Sequence, residues 1–267
     1  MGSCKKFYDD IDVMPFNMID NISFIIQARS GSSRLPNKML MPFCNEKIII
    51  DIIIDKLKNN GIPNKNILIA TTKSEKDNEL ARILNKKGYN IYRGDENNVL
   101  LRYVDAAAYL NTKFLLRICA DNPFLNMQFL NNILNVEKLA EYDYASYYLN
   151  TETPAIKTHF GFFCEFVSVN SLKKIVSLNL PKYYQEHVTP YIYENPEKFK
   201  IKTLDMPDVL LKNQWLRLTI DTKDDFENVS SLYNELSDSE DVVRIIKTSI
   251  AKGLKEKMEK QIIKNSK

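Results

Sequence analysis

Ile25-Ile26-Gln27-Ala28-Arg29-Ser30-Gly31-Ser32-Ser33-Arg34-Leu35-Pro36-Asn37-Lys38 runs from an apolar strand directly into a loop with three cations, three serines and one glycine. No acidic residue occurs between Asp20 and Glu46. A strand end of this kind suits a polyphosphate. Backbone N–H groups and Arg forks neutralise phosphate oxygens, and Lys adds a point charge. A solvated basic turn is the plainer alternative for the loop taken alone. The segment is not a P-loop, because it lacks Gly-Lys-Ser/Thr, and it is not a dinucleotide fingerprint, because it lacks Gly-x-Gly-x-x-Gly.

Outward from this loop, strands and helices alternate. Residues 22–27 are predicted as a buried strand. Residues 46–60 follow as a helix, with Ile49, Ile52, Ile53 and Leu57 at helical spacing and a stop at Gly61 and Pro63. Strands are expected at 67–70, 90–92 and 114–119, and helices at 74–87, 98–111 and 126–140. This order implies an α/β fold with a mostly parallel sheet flanked by helices. Beyond residue 140 the pattern changes to strands at 144–148 and 160–167, a helix at 171–177, and a helix at 185–193 kinked by Pro190. A late strand over Trp215–Ile220 ends at Asp221, and helices are predicted over 223–235 and 239–261. The Lys- and Glu-rich stretch from Lys252 reads as a solvated helix face. The expected division is an N-terminal extension over 1–21, a catalytic domain over 22–236 and a C-terminal helical tail over 237–267.

Composition narrows the classes. The chain has 267 residues, 44% hydrophobic and 27% charged, enough for a sizeable core. A net charge of +3 is too small to make nucleic-acid binding the main function. Cys4, Cys44, Cys119 and Cys164 form no zinc-type pair, and two histidines, His159 and His187, exclude a His-rich metal site. Four unpaired thiols, and Asp9, Asp10 and Asp12 where a leader would be apolar, point to the cytoplasm. No apolar run approaches the roughly 20 residues of a membrane span.

Two acids sit at corresponding places. Asp121 follows Ile118-Cys119-Ala120, and Asp221 follows Leu218-Thr219-Ile220. Ligands of open α/β sheets bind outside the carboxyl ends of the strands, so both acids can share a crevice with the cationic loop. Two carboxylates facing a triphosphate suit Mg²⁺, which is held by one or two carboxylates and phosphate oxygens. The competing role for each is a helix cap.

Four motifs together resemble the cytidylyltransferase family, which includes CMP-sialic acid and CMP-Kdo synthetases, and within it the spore-coat polysaccharide biosynthesis (SpsF-like) branch. They are Ile26–Lys38; Arg93-Gly94-Asp95-Glu96 running to Val99-Leu100-Leu101-Arg102-Tyr103; Leu116-Arg117-Ile118-Cys119-Ala120-Asp121-Asn122-Pro123; and the pair Glu186–Ile192 with Leu216–Thr222. The resemblance implies a Rossmann-like nucleotidyltransferase fold of the GT-A type, with a smaller β-containing insertion. It implies that CTP and an acidic sugar give a CMP-sugar and pyrophosphate, with Mg²⁺, in a protein that pairs as a homodimer.

By that resemblance, Arg29, Arg34 and Lys38 would hold the triphosphate, with Ala28, Ser30, Gly31 and Ser32 beside it. Thr71, Thr72, Arg93 and Asp95 would lie near the nucleotide. Asp121 and Asp221 would hold the metal, and Arg29, Lys38, Asp121 and Asp221 would carry the chemistry. Arg117, Glu165, Glu186 and His187 would face the sugar, although a hydrogen-bonded structural role is the plainer reading of His187. Phe163 stands where this branch commonly has an acid, and Leu218 where relatives often have Trp, so the acceptor pocket is expected to differ. A GT-A-fold glycosyltransferase, a sugar-phosphate or phosphonate acceptor, and a partner subunit without activity are the alternatives.

Overall fold

Burial on both faces makes residues 22–27 an interior strand. Phe24 and Ile26 point into one hydrophobic layer and Ile25 into the other. The computed structural model describes residues 21–236 and 239–265, so most of the expected extension over 1–21 lies outside the described residues. In chain order the first half comprises β1 (Ile22–Gln27), α1 (Ile49–Asn59), β2 (Ile67–Thr72), α2 (Asn78–Lys86), β3 (Ile91–Gly94), α3 (Val99–Tyr109), β4 (Phe114–Cys119) and α4 (Met127–Leu134). The second half comprises β5 (Tyr144–Tyr148), β6 (Glu165–Ser168), α5 (Val169–Ser177), α6 (Lys182–His187), α7 (Pro190–Tyr193), β7 (Ile201–Asp205), α8 (Asp208–Leu211), α9 (Lys223–Leu236), α10 (Val242–Ala251) and α11 (Lys255–Asn265).

Among the described residues the strands form one seven-stranded sheet in the order β3-β2-β1-β4-β6-β5-β7. β1 pairs in parallel with β2 and β4, and β2 with β3. β6 runs antiparallel to β4 and β5, and β5 pairs in parallel with β7. The strands after residue 140 thus extend the same sheet. The layer on one face comes from α1, α2, α4 and the C-terminal helices, and that on the other from α3 and α5. Ile245, Leu254 and Met258 belong to the first layer, so the last helices share the core of the rest of the chain.

Several elements differ from the expectation, each for a local reason. Helix α1 opens at Ile49 because Asn45 and Glu46 take left-handed φ values of 46° and 62° in a tight turn. Helix α4 stops at Leu134, and a short 3-10 turn over Leu139–Glu141 replaces its expected continuation. The 185–193 helix is two helices, α6 and α7, separated at Val188, whose φ is 73°. The 239–261 helix is likewise two, broken at Gly253 with φ 64°. The 160–167 strand is shortened to β6 because Gly161, at φ 71°, turns the chain before it. Strand β7 was not anticipated. It is an edge strand whose exposed Lys202, Thr203 and Asp205 hide the apolar alternation.

The late strand over 215–220 does not form. Leu216, Leu218 and Ile220 are buried, which gives the segment its strand-like alternation. Its amides leave the sheet, however. Leu218 N–H donates to the His159 carbonyl (2.9 Å) and Ile220 N–H to the Asp121 carbonyl (3.1 Å). The segment therefore crosses the carboxyl end of the sheet and carries Asp221 to the mouth of β4.

Gly161 is what allows this crossing. An added Cβ would lie 3.0 Å from the Leu218 carbonyl carbon, and the positive φ disfavours any L side chain. Gly161→Ala is expected to lower stability by about 1–3 kcal/mol. A urea midpoint equal to that of the wild type would contradict this close approach.

Candidate active site

The basic loop is folded by its own backbone and by one buried acid. Ala28 N–H extends the β1–β2 ladder to the Ala70 carbonyl (3.2 Å). Ser30 N–H donates to Asp77 Oδ1 (2.6 Å), and the Ser30 carbonyl accepts from Ser32 N–H (2.8 Å) and Asn37 N–H (3.3 Å). Leu35 N–H donates to Ser32 Oγ (3.2 Å). Among the described residues, the N–H groups of Arg29, Gly31, Ser33 and Arg34 have no acceptor, and these four residues are exposed. The result is a preformed donor array open to an anion.

Thr72, Arg93 and Asp95 frame this array. Asp77 also accepts from the Thr72 hydroxyl, and Thr71 is fully buried beside it. The Arg93 guanidinium donates to the Thr72 carbonyl (2.8 Å), the Ser74 carbonyl (3.0 Å) and Asn78 Oδ1 (2.8 Å). Asp95 Oδ1 accepts from the N–H groups of Asn97 (2.8 Å) and Asn98 (2.7 Å), and these bonds hold its carboxyl below the usual range. Thr72, Arg93 and Asp95, expected near the nucleotide, bond within the protein and brace the loops that follow β2 and β3.

Asp121, after β4, and Asp221, after the crossing segment, both meet side chains of the basic loop. The Lys38 ammonium, 8% exposed as a residue, donates to the Ile220 carbonyl (2.5 Å) and lies 3.5 Å from Asp121 Oδ2. Arg34 Nη2 donates to Asp221 Oδ1 (2.7 Å), and Arg217 Nη2 donates to Asp221 Oδ2 (2.9 Å). Neither acid is a helix cap. Asn126 caps α4 by accepting from Phe129 N–H (3.0 Å). Asp225 Oδ2 takes the N–H groups of Asp221 (3.1 Å) and Thr222 (2.9 Å), while Thr222 Oγ1 accepts from Asp225 N–H (3.2 Å), as in a capping box. Asp121 and Asp221 therefore carry no capping role, and their carboxylates face Lys38, Arg34 and Arg217 instead.

Two acids beside a loop with open N–H groups fit a divalent metal that completes its shell with phosphate and water oxygens. Among the described residues no group of three or more acid, His or Cys side chains forms a metal cage of its own.

Arg217 orients Asp221 and is itself held by Asp225. Its Nε and Nη2 donate to Asp225 Oδ1 (2.7 Å) and Oδ2 (2.9 Å). Burial alone would lower the Arg217 pKa, but the hydrogen bond and charge of Asp225, followed by Asp221, raise it. Burial would raise the Asp225 carboxyl, but Arg217 outweighs it and holds the carboxyl low.

A cavity of about 570 Å³ adjoins the two acids. Arg117, Thr189 and His187 line it, together with Phe163 and Asn122. Glu165 is fully buried behind this wall, where it accepts from Arg117 Nη1 (2.5 Å), Thr189 Oγ1 (3.0 Å) and the Tyr144 hydroxyl. It positions Arg117 and Thr189 and does not itself line the cavity. Glu186 also lies outside the wall, while its neighbour His187 packs its ring 5.0 Å from that of Tyr183. Burial pushes the thiol of Cys119, which lines the cavity, up to about 11, which disfavours the thiolate.

Asp77, Thr189, Arg217, Asp225 and the end of α11 were not among the expected site residues. The Thr222-x-x-Asp225 spacing was a legible cap signal, and it would have freed Asp221 from that role. Nothing in the sequence near Asp77 marks its bond to Ser30, 47 positions away.

A sequence model of the cytidylyltransferase family matches residues 23–263. The spore coat polysaccharide biosynthesis protein SpsF of Bacillus subtilis is 34% identical over 228 residues, 84% of this chain and 91% of that protein. A cytidylyltransferase structure from Leptospira borgpetersenii superposes with a TM-score of 0.75 at 27% identity, covering 92% of this chain and 98% of the other. CMP:2-keto-3-deoxy-manno-octonic acid synthetase, solved with CTP, shares the fold at a TM-score of 0.59 and 16% identity, covering 80% of this chain and 99% of the other.

The Arg217–Asp225 pair yields a pH test. A depressed carboxyl pKa stabilises the folded state fully above the ordinary Asp value of 3.8, and that stability is lost as pH falls through the lower folded value. Asp225→Asn is expected to cost about 3 kcal/mol near pH 7. Urea unfolding at about pH 7 and pH 3 checks this, because the gap to wild type narrows in acid. A gap that stays constant or widens in acid would contradict the pairing.

Proposed function

The chain belongs to the cytidylyltransferase family, and from that membership we propose that it activates an acidic sugar with CTP, giving a CMP-sugar and pyrophosphate for surface polysaccharide or glycan synthesis. CTP-dependent nucleotidyl transfer is the family's activity. The acidic sugar, Mg²⁺, a cytoplasmic location and a homodimer are parts of the proposal. The observation that carries the reading is the meeting of Arg34 and Lys38 with Asp221 and Asp121 in one cleft. The density of fixed cations favours a triphosphate over the diphosphate of a glycosyltransferase donor, and the presence of both acids favours retained chemistry.

In this mechanism the open N–H groups of Gly31, Ser33 and Arg34, with the Arg29 and Lys38 side chains, hold the β- and γ-phosphates. The same groups offset charge that builds on the departing pyrophosphate. Asp121 and Asp221 would hold the divalent metal, which would supply positive charge to offset that of the phosphates. Arg117, Thr189 and His187 orient the acceptor so that its oxygen bonds to the α-phosphorus in line as the bond to pyrophosphate breaks. Arg34 exchanges its exposed pairing with Asp221 for phosphate oxygens. That exchange is inexpensive, because an exposed ion pair is worth about 1 kcal/mol or less.

The test is pyrophosphate release from each of the four nucleoside triphosphates with a panel of acidic sugars, sugar phosphates and phosphonates. Release with CTP and an acidic sugar supports the reading. Release only with another nucleotide, or transfer from a nucleotide sugar without pyrophosphate, overturns it. Asp221→Asn is expected to reduce turnover about a hundredfold while keeping the wild-type circular dichroism spectrum. Near-normal release by that variant would remove Asp221 from the chemistry.

A further inference from the structure

Helix α11 was expected to be a solvated face, yet its last turn reaches the cleft. Leu254, just before it, and Met258, on its inner face, are buried, and Gln261 Nε2 bonds to Asp224 Oδ2 (2.5 Å) on α9. This seating brings Ile262 and Asn265 into the cavity wall beside Asp221. Asn265 Oδ1 accepts from Arg34 Nη1 (3.1 Å), while Asn265 Nδ2 donates to the Gln261 carbonyl (2.7 Å). The second bond fixes the amide so that its oxygen faces the guanidinium. The sequence model of the family ends at residue 263, before Asn265.

We propose that Asn265 is a positioning residue for the triphosphate: it anchors one nitrogen of Arg34 so that the other side of the guanidinium can pass from Asp221 to a phosphate. The inference rests on the reading above, in which Arg34 binds the triphosphate. A neutral amide suits the task. It holds the guanidinium by a charge-assisted hydrogen bond without adding negative charge that would repel the phosphates. The Arg34 side chain is 52% exposed, and its guanidinium has only Asp221 and Asn265 as partners among the described residues. When Asp221 turns to a metal, Asn265 is the anchor that remains. Helix α11 then belongs to the substrate site, where it ties the triphosphate loop to the acceptor cavity.

The test is calorimetric binding of CTP with Mg²⁺ to the full chain, for wild type, Asn265→Ala, Arg34→Ala and the double variant. Asn265→Ala is expected to weaken CTP binding about three- to tenfold. It should raise KM for CTP while leaving kcat within about twofold, because it acts on orientation rather than on the reacting atoms. In the Arg34→Ala background the same substitution should have no further effect. The unfolding temperature of Asn265→Ala separates this effect from a loss of fold. Wild-type affinity in Asn265→Ala, or losses that add in the double variant, would overturn the inference alone. A wild-type protein that binds no nucleoside triphosphate would overturn the underlying reading and this inference with it.

Discussion

The buried ammonium of Lys38 ties the site together. It leaves the basic loop, crosses to the Ile220 carbonyl at 2.5 Å and sits 3.5 Å from Asp121. A cation this enclosed is tolerated only where oxygen atoms surround it. Those oxygens come from the end of β4 and from the segment that carries Asp221. One side chain therefore brings together three stretches that are distant in sequence, and the cleft between them follows from that single requirement.

Around this tie the charges are arranged in layers. Cations of the loop meet the acids that open onto the cleft, and a second set of pairs stands behind. Arg217 with Asp225 fixes the direction of Asp221, and Arg117 with Glu165 fixes the wall of the adjoining cavity. Buried pairs such as these add little net stability, but removing one partner is costly, so they hold geometry more than they hold the fold. The front pairs, Arg34–Asp221 and Lys38–Asp121, are more open to solvent on at least one side and can exchange partners when an anion arrives.

The first half of the fold was legible because its signals are local. β1, β2 and β4 are continuous apolar runs, and α1 and α3 show helical spacing bounded by turn residues. The residue types of the loop after β1 left two readings open, a phosphate site or a solvated basic turn. The second half was less legible because tertiary contacts decide it. Trp215–Ile220 alternates like a strand, but its amides bond to His159 and Asp121 instead of a neighbouring strand. β7 hides its pairing behind an exposed edge, and Val188 breaks a helix with a left-handed φ that its identity as valine does not advertise. At the site, Asp121 and Asp221 could be found from their place after apolar runs. Glu165 was expected to face the sugar but lies behind the cavity wall, and Asp77 and Asn265 act through partners far along the chain.

A crystal structure with CTP and Mg²⁺ tests the shared cleft most directly. The triphosphate is expected on the open N–H groups of Gly31, Ser33 and Arg34 and on Lys38, with the metal between Asp121 and Asp221 and the Arg34–Asp221 pair parted. A nucleotide bound elsewhere, or a triphosphate on the loop with both acids still paired to Arg34 and Lys38 and no metal between them, would contradict it.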